Sequence, residues 1–485
     1  MLTLRHLHYL LLLILGFIIY RGAIGGPFIF DDNQFILENL TIRSLSNFTD
    51  LSGTRYISFL SFAMNYAVDG YNAAGYKITN IAIHIVNSIL VYKFVSTLIE
   101  TPTLKKARGE LKYLAVIVSL LFLTHPIATQ AVNYTFQRSA TLATLFYLLS
   151  ITLYLKARLM GLCGDKEKNP KRYALYAFAL LAAIIAQKTK EISFTLPFMI
   201  VLFDMTLLPA SIGIKSRLKN LLPFLFTLAI IPASILLPSS GGALNATGGS
   251  ETVRRIQIEI LTEQSRHDYL ITQFKVVPIY FKLLFFPTNQ NLLHDITTYD
   301  SFFNPQVLVS FVFLAVIFAF AIYLLVRSIK RKEAASFLIG AGILWFFITI
   351  SMESSIIPLK YKMFEHRAYL PSVGFFISTA TAFLYISRAI FNRGERRSPL
   401  PLVIAIIVIT VLSFLSYQRS SVWKDKFSIW SDTVAKSPGN SKAHNELGTA
   451  YMELGKTTEA LKHYKEAIRI NPRSGIAIVN LGSAL

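Results

Sequence analysis

Apolar runs long enough to cross a bilayer recur along the whole chain, and they limit it to folds that use lipid as solvent. A helix needs about 20 apolar residues to span the hydrocarbon. Such runs occur at about 8–24, 76–98, 138–157, 191–208, 218–237, 306–326, 369–390 and 400–417. Shorter runs at about 112–125, 172–187 and 335–350 fit as further spans once polar ends are allowed, giving about eleven. Of the 485 residues, 53% are hydrophobic and 15% charged. A soluble domain carries about 25% charged residues, and a single soluble core stops growing near 250–300 residues. The fold expected is therefore all-α: a polytopic helical bundle, residues 1–417.

The formal net charge of +21 would suit nucleic acid if the cations shared one surface. They do not: Lys and Arg fall in short clusters between apolar runs, which is the positive-inside pattern. The clusters are Lys105, Lys106, Arg108 and Lys112; Lys156, Arg158, Lys166, Lys168, Lys171 and Arg172; Lys215, Arg217 and Lys219; Arg327, Lys330, Arg331 and Lys332; and Arg393, Arg396 and Arg397. All lie on alternate loops and so share the cytoplasmic side. The N-terminus is then inside, and everything after about 418 is outside. Met1 to Ile24 reads as a retained first span rather than a cleaved signal peptide. Ile271 to Pro287 is apolar enough to span, but counting it would invert the next charge cluster. It is expected to lie as an interfacial or re-entrant helix in a long outer loop, 238–305, whose small, polar tip at 239–249 reads as flexible. The single cysteine, Cys163, excludes an internal disulfide and a cysteine metal site.

The tail changes character. From Ser441, Leu447, Gly448, Tyr451, Ala460, Tyr464, Ala467 and Pro472 fall in the 34-residue register of a tetratricopeptide (TPR) repeat, with His444 where that family usually has Trp. The small Gly448 and Ala460 let two helices approach, and the tyrosines fill the space between them. Residues 418–440 read as a linker with a degenerate half-repeat, and 441–485 as the TPR segment. A second repeat begins at Gly475 and stops in mid-helix at Leu485, so the sequence reads as a truncated protein or fragment.

Ionisable residues near spans concentrate on the outer side, where they point to function. Asp31 and Asp32 follow the first span; such a pair can act as a base or hold a divalent cation, or merely cap a helix. His125 ends the third span, and Arg138 opens the fourth. Lys190 and Glu191 separate two further spans, His294 and Asp295 lie in the outer loop, and Glu353 and then Glu365, His366 and Arg367 follow the ninth span. Each signal is weak alone, because Lys and Arg at span ends usually reach for headgroups. Their shared face suits a phosphate.

The stretches GGPFIFDDNQFILEN, SFAMNYAVDGYNAAGYKITNIAIHIVNSILVY, LTHPIATQAVNYTFQRSATLATLFYLLS, KTKEISFTLPFMIVLFD, FPTNQNLLHD and ESSIIPLKYKMFEHRAYLPSVGF, followed by the TPR tail, resemble the transmembrane-and-TPR O-mannosyltransferases and their bacterial relatives, within the GT-C glycosyltransferases. The Gln137-Arg138-Ser139 form looks like the bacterial branch. Many animal members have an acidic residue at the position of Ala140, so no role is carried over to it. The resemblance implies an inverting transfer of a sugar, such as mannose, from a polyprenyl-phosphate donor to a protein hydroxyl on the non-cytoplasmic side. Asp31 or Asp32 would be the general base. Arg138, Lys190, His366 and Arg367 would bind the donor phosphate, with His125, Glu191 and Glu365 in support. It establishes no cofactor and leaves a divalent metal open. The partners implied are the lipid-linked sugar, a protein acceptor bound by the TPR segment, and the bilayer, without nucleic acid. The expected location is a bacterial inner membrane with a periplasmic tail, or alternatively the endoplasmic reticulum.

Three other classes compete. A non-enzymatic TPR scaffold would need only one or two spans, and another lipid-linked transferase would share the outer cations. A transporter would show internal repeats and mid-span charge, and neither is evident.

Overall fold

The computed structural model describes residues 4–49, 53–162, 169–209, 211–236, 265–391 and 398–485. Cys163, the loop tip at 239–249, and the cluster residues Lys166, Lys168, Arg393, Arg396 and Arg397 lie outside the described residues. Among the described residues every regular element is helical.

A helix stands at each of the eleven expected positions: Leu4–Tyr20, Ala73–Ile99, Leu114–Thr124, Arg138–Leu162, Pro170–Gln187, Leu196–Leu207, Ile214–Phe226, Pro305–Arg331, Ala334–Ile350, Pro371–Phe391 and Leu400–Ser421. Among the described residues, seven stretches are long and apolar enough to cross a membrane unaided, and an eighth is if Leu114–Thr124 and Pro126–Asn133 count as one bent span. The others are shorter or more polar and stand within the bundle. The chain is an integral membrane protein.

Close packing in the bundle relies on small residues, as expected where lipid removes most of the hydrophobic drive between helices. Gly342 and Gly374 face one another where Ala334–Ile350 crosses Pro371–Phe391, and a Cβ on either would collide with the other's carbonyl. Beside this crossing the buried Trp345 donates from its indole nitrogen to the Leu370 carbonyl at 2.9 Å.

The apolar stretch from Ile271 forms the helix Arg266–Phe285. Near its start, the Tyr269 hydroxyl donates to the Glu353 carbonyl at 2.9 Å, just past the end of Ala334–Ile350. Near its finish, the Leu284 carbonyl lies 3.1 Å from His125 Nε2, just past the end of Leu114–Thr124. Both span ends lie on the outer side by the charge pattern. The two ends of the helix thus meet the finishing ends of two different spans.

In the tail, Ser441–Glu453 and Thr457–Ile470 form the expected helix pair. Gly448 lies against the Tyr464 ring, where a Cβ would come within 2.6 Å. Lys426–Lys436 packs on the first of them as a preceding helix. This tail is bonded to the outer loop: Lys436 Nζ donates to the Gln290 carbonyl at 2.8 Å, and Asn291 Nδ2 donates to Ser437 Oγ at 2.7 Å.

Candidate functional site

Proline shapes the first wall of the site. Pro126 drives His125 out of the helical region, to φ −77 and ψ 129. His125 Nδ1 accepts from the Ile127 amide at 3.1 Å, capping the next turn. The chain bends by 51° and continues as Pro126–Asn133. This short piece carries Gln130 and delivers Tyr134.

Asp31 and Asp32 are neighbours with different environments. Asp32 is fully buried. One carboxylate oxygen accepts from the Ile29 amide at 3.1 Å and the other from the Phe136 amide at 2.7 Å. Burial raises its pKa to about 7, against the opposing pull of Lys77 and the two amides. Asp32 thus ties its own turn to the start of the fourth span. Asp31 is half-buried, and its amide donates to the Tyr134 hydroxyl at 3.0 Å. Burial raises its pKa, while Tyr134, Lys442, Lys360 and Arg55 pull it back. The residue before it, Phe30, has φ 56, a costly conformation for an aromatic residue. The Phe30 ring is held among Tyr134, Tyr361, Phe364 and Trp430, at centroid distances of 5.3 to 6.3 Å. Packing from three segments therefore fixes the turn that presents Asp31.

The cations expected to bind phosphate are mostly engaged. Arg138 is fully buried. It donates to Asn80 Oδ1 at 2.7 Å and to the Ser61 and Tyr76 carbonyls at 3.0 Å, and lies 4.6 Å over the Phe62 ring. These acceptors make the guanidinium a rivet between segments. Arg367 likewise donates to the Tyr361 and Lys362 carbonyls, at 2.7 and 3.1 Å, and so shapes the 361–364 turn. Lys190 pairs with Glu353 at 2.8 Å, both largely buried. Glu365 does not orient Arg367. Its oxygens accept from the Asn291 amide at 2.6 Å, from Gln290 Nε2 at 3.3 Å and face His294 Nε2 at 2.9 Å, anchoring the outer loop. His125 is bound to Ile127 and Leu284, as described above.

His366 is the exception. Its backbone amide and Nδ1 both meet Gln130 Oε1, at 2.8 and 3.1 Å, while Nε2 is unengaged among the described residues. Burial, then Lys190, Arg367 and Arg55, hold its pKa well below the ordinary imidazole value. Glu191 orients Arg55: Nε and Nη2 donate to its two oxygens at 3.0 Å. Burial would raise the Glu191 carboxyl, but Arg55 holds it below its usual range. This fork leaves Nη1 of Arg55 outside the pair, and Arg55 feels both Asp31 and His366.

Sequence reasoning missed Arg55, Gln130, Tyr134, Lys360 and Lys442. Gln130 and Tyr134 had a signal: polar groups four apart in the short break between two apolar runs. Lys442 had none, since only folding brings the tail to the first loop. Among the described residues no group of three or more His, Cys, Asp or Glu side chains could hold a metal ion.

Comparison with known proteins adds a second line. The tetratricopeptide repeat family matches residues 441–474. A Caenorhabditis elegans protein O-mannosyl-transferase is 25% identical over 96% of this chain and 62% of its own length. A Homo sapiens protein O-mannosyl-transferase is 23% identical over 96% of this chain and 55% of its own. The chain is similar to these protein O-mannosyl-transferases along nearly all of its length. It spans between about half and three-fifths of the length of these curated relatives. Among solved structures, an archaeal oligosaccharyltransferase from Archaeoglobus fulgidus, in complex with an inhibitory peptide and a dolichol-phosphate, superposes with a TM-score of 0.47 and 14% identity, covering 86% of this chain and 56% of that one.

Proposed function

We propose that the chain is the membrane part of an inverting, GT-C-type glycosyltransferase that moves a hexose, such as mannose, from a polyprenyl phosphate to a protein hydroxyl outside the cytoplasm. The observation that carries this reading is the contrast between the two aspartates. Asp32 has both oxygens occupied by backbone amides, whereas Asp31 is half-exposed on a strained, packed turn among cations. Asp31 is therefore the general base. It takes the acceptor hydroxyl's proton while that oxygen attacks C1, and the phosphate leaves from the opposite face. The leaving phosphate needs positive charge rather than a proton. Arg55, oriented by Glu191, and the exposed Lys360 supply it at the mouth, with the buried Lys190 behind. The TPR segment brings the acceptor to this mouth, since its first helix already touches the Phe30 turn. A bacterial inner membrane with the tail in the periplasm fits this arrangement.

The test incubates membranes containing the chain with labelled polyprenyl-phosphate hexoses and scores labelled protein. Label that depends on Asp31 is expected. Label unchanged in Asp31→Asn would overturn the assignment of the base, and absence of label with every donor would overturn the activity.

A further inference from the structure

The hydrogen bonds around His366 decide its proton as well as its position. Gln130 Nε2 donates to the Leu292 carbonyl at 3.1 Å, and this fixes which end of the amide faces the imidazole. Gln130 Oε1 then accepts from the His366 amide at 2.8 Å and lies 3.1 Å from Nδ1. A carboxamide oxygen has no proton to give, so Nδ1 must carry the ring proton and Nε2 is left as a bare acceptor. The ring is 4% exposed and stacked on Phe364 at 5.1 Å, so it has little freedom to turn. Arg55, Lys190 and Arg367 surround it and oppose a second proton. A lone pair aimed from a neutral ring repels phosphate oxygens and suits an O–H.

We infer that Gln130 is a positioning residue that holds His366 in its Nδ1–H tautomer, so that Nε2 accepts a hydrogen bond from a substrate hydroxyl. The inference rests on the proposed transferase reading for its substrate and deepens it. His366 thereby leaves the set of phosphate-binding groups and becomes a group that reads a hydroxyl. A hydroxyl of the donor sugar and the hydroxyl of the protein acceptor share this chemistry. No proton is transferred to the ring in the reaction.

The test has two arms. In the first, the full chain is labelled at histidine nitrogens in lipid nanodiscs, and His366 is assigned by the signals lost in His366→Gln. Protonated Nδ1 and bare Nε2 at neutral pH are expected, and Gln130→Leu should let the proton spread to Nε2. An imidazolium or an Nε2–H tautomer in the unsubstituted chain would overturn the inference, with or without turnover. In the second arm, monodeoxy donors are compared in the unsubstituted chain and His366→Ala. Loss of one sugar hydroxyl should lower kcat/KM about tenfold, and His366→Ala should abolish that discrimination. If no deoxy donor discriminates but His366→Ala raises the acceptor KM about tenfold, the hydroxyl is the acceptor's. If the variant shows neither effect while transfer proceeds, the inference fails and the transferase reading stands.

Discussion

Lys442, in the first repeat helix, holds its ammonium 5.0 Å from the centroid of the Phe30 ring, one residue before Asp31. A cation over an aromatic face is stabilised there by the ring quadrupole. The contact joins the tail directly to the turn that presents the candidate base. Lys442 also pulls the Asp31 pKa down against the effect of burial. The repeat segment is therefore part of the electrostatics of the site.

Removing that charge should move a pH limb. Asp31 must be ionised to act, so activity falls as pH drops through its pKa. Without Lys442 the carboxyl binds its proton more tightly, and the acidic limb of kcat/KM in Lys442→Ala should shift upward by about 0.2–0.7 pH unit, the scale of an exposed charge pair. A pH–rate profile measures this, and a limb that stays put or moves down contradicts the coupling.

The two aspartates should separate in their variants. Asp31→Asn should lose about 10²–10⁴ in kcat, the range of a general base, with an unchanged melting temperature. Asp32→Asn should lower the melting temperature, because the NH2 end of an amide has no acceptor capacity for the second backbone amide, whereas both carboxyl oxygens keep theirs. Asp32 also adds a pH dependence. Folding raises its pKa to about 7 from the ordinary 3.8, so its contribution is full below about 4 and is lost as pH rises through about 7. The gap in melting temperature between Asp32→Asn and the unsubstituted chain should narrow over that interval.

Lys190 and Glu353 should behave as a pair. Lys190→Met strands a buried carboxylate, and one-sided removal of this kind costs about 3–5 kcal/mol. Adding Glu353→Leu should restore most of the melting temperature. Transfer activity should stay low in the double variant, since the positive charge behind the phosphate is gone. Full recovery of activity would make the pair purely structural.

The outer-face helix gives a topological test. Cysteines placed at Ser265 and Asn304, on either side of Arg266–Phe285, should both label from outside the cytoplasm. Labelling from opposite sides would show that the helix crosses. A reporter after Leu485 should likewise be inactive if it functions only in the cytoplasm.

The sequence by itself determined the helices, and its basic clusters carry the expectation of their sidedness. Hydrophobic run length and the spacing of basic clusters are local quantities, and the bilayer acts on them directly. The TPR register was legible for the same reason: Gly448, Ala460 and Tyr464 meet within one helix pair. The resemblance drew Asp31, Lys190, Glu191 and His366 into one candidate list. Only the tertiary structure decided what each does. Arg138 and Arg367 are expected phosphate ligands by residue type, and only folding supplies the carbonyl partners that engage their guanidiniums. Asp31 and Asp32 are adjacent and chemically identical, and they differ only because Phe136 and Ile29 point their amides at one of them. Gln130 and His366 are 236 residues apart. No local pattern sets the tautomer of a ring whose proton is fixed by an amide so distant in the chain, and only the packed bundle brings the two together.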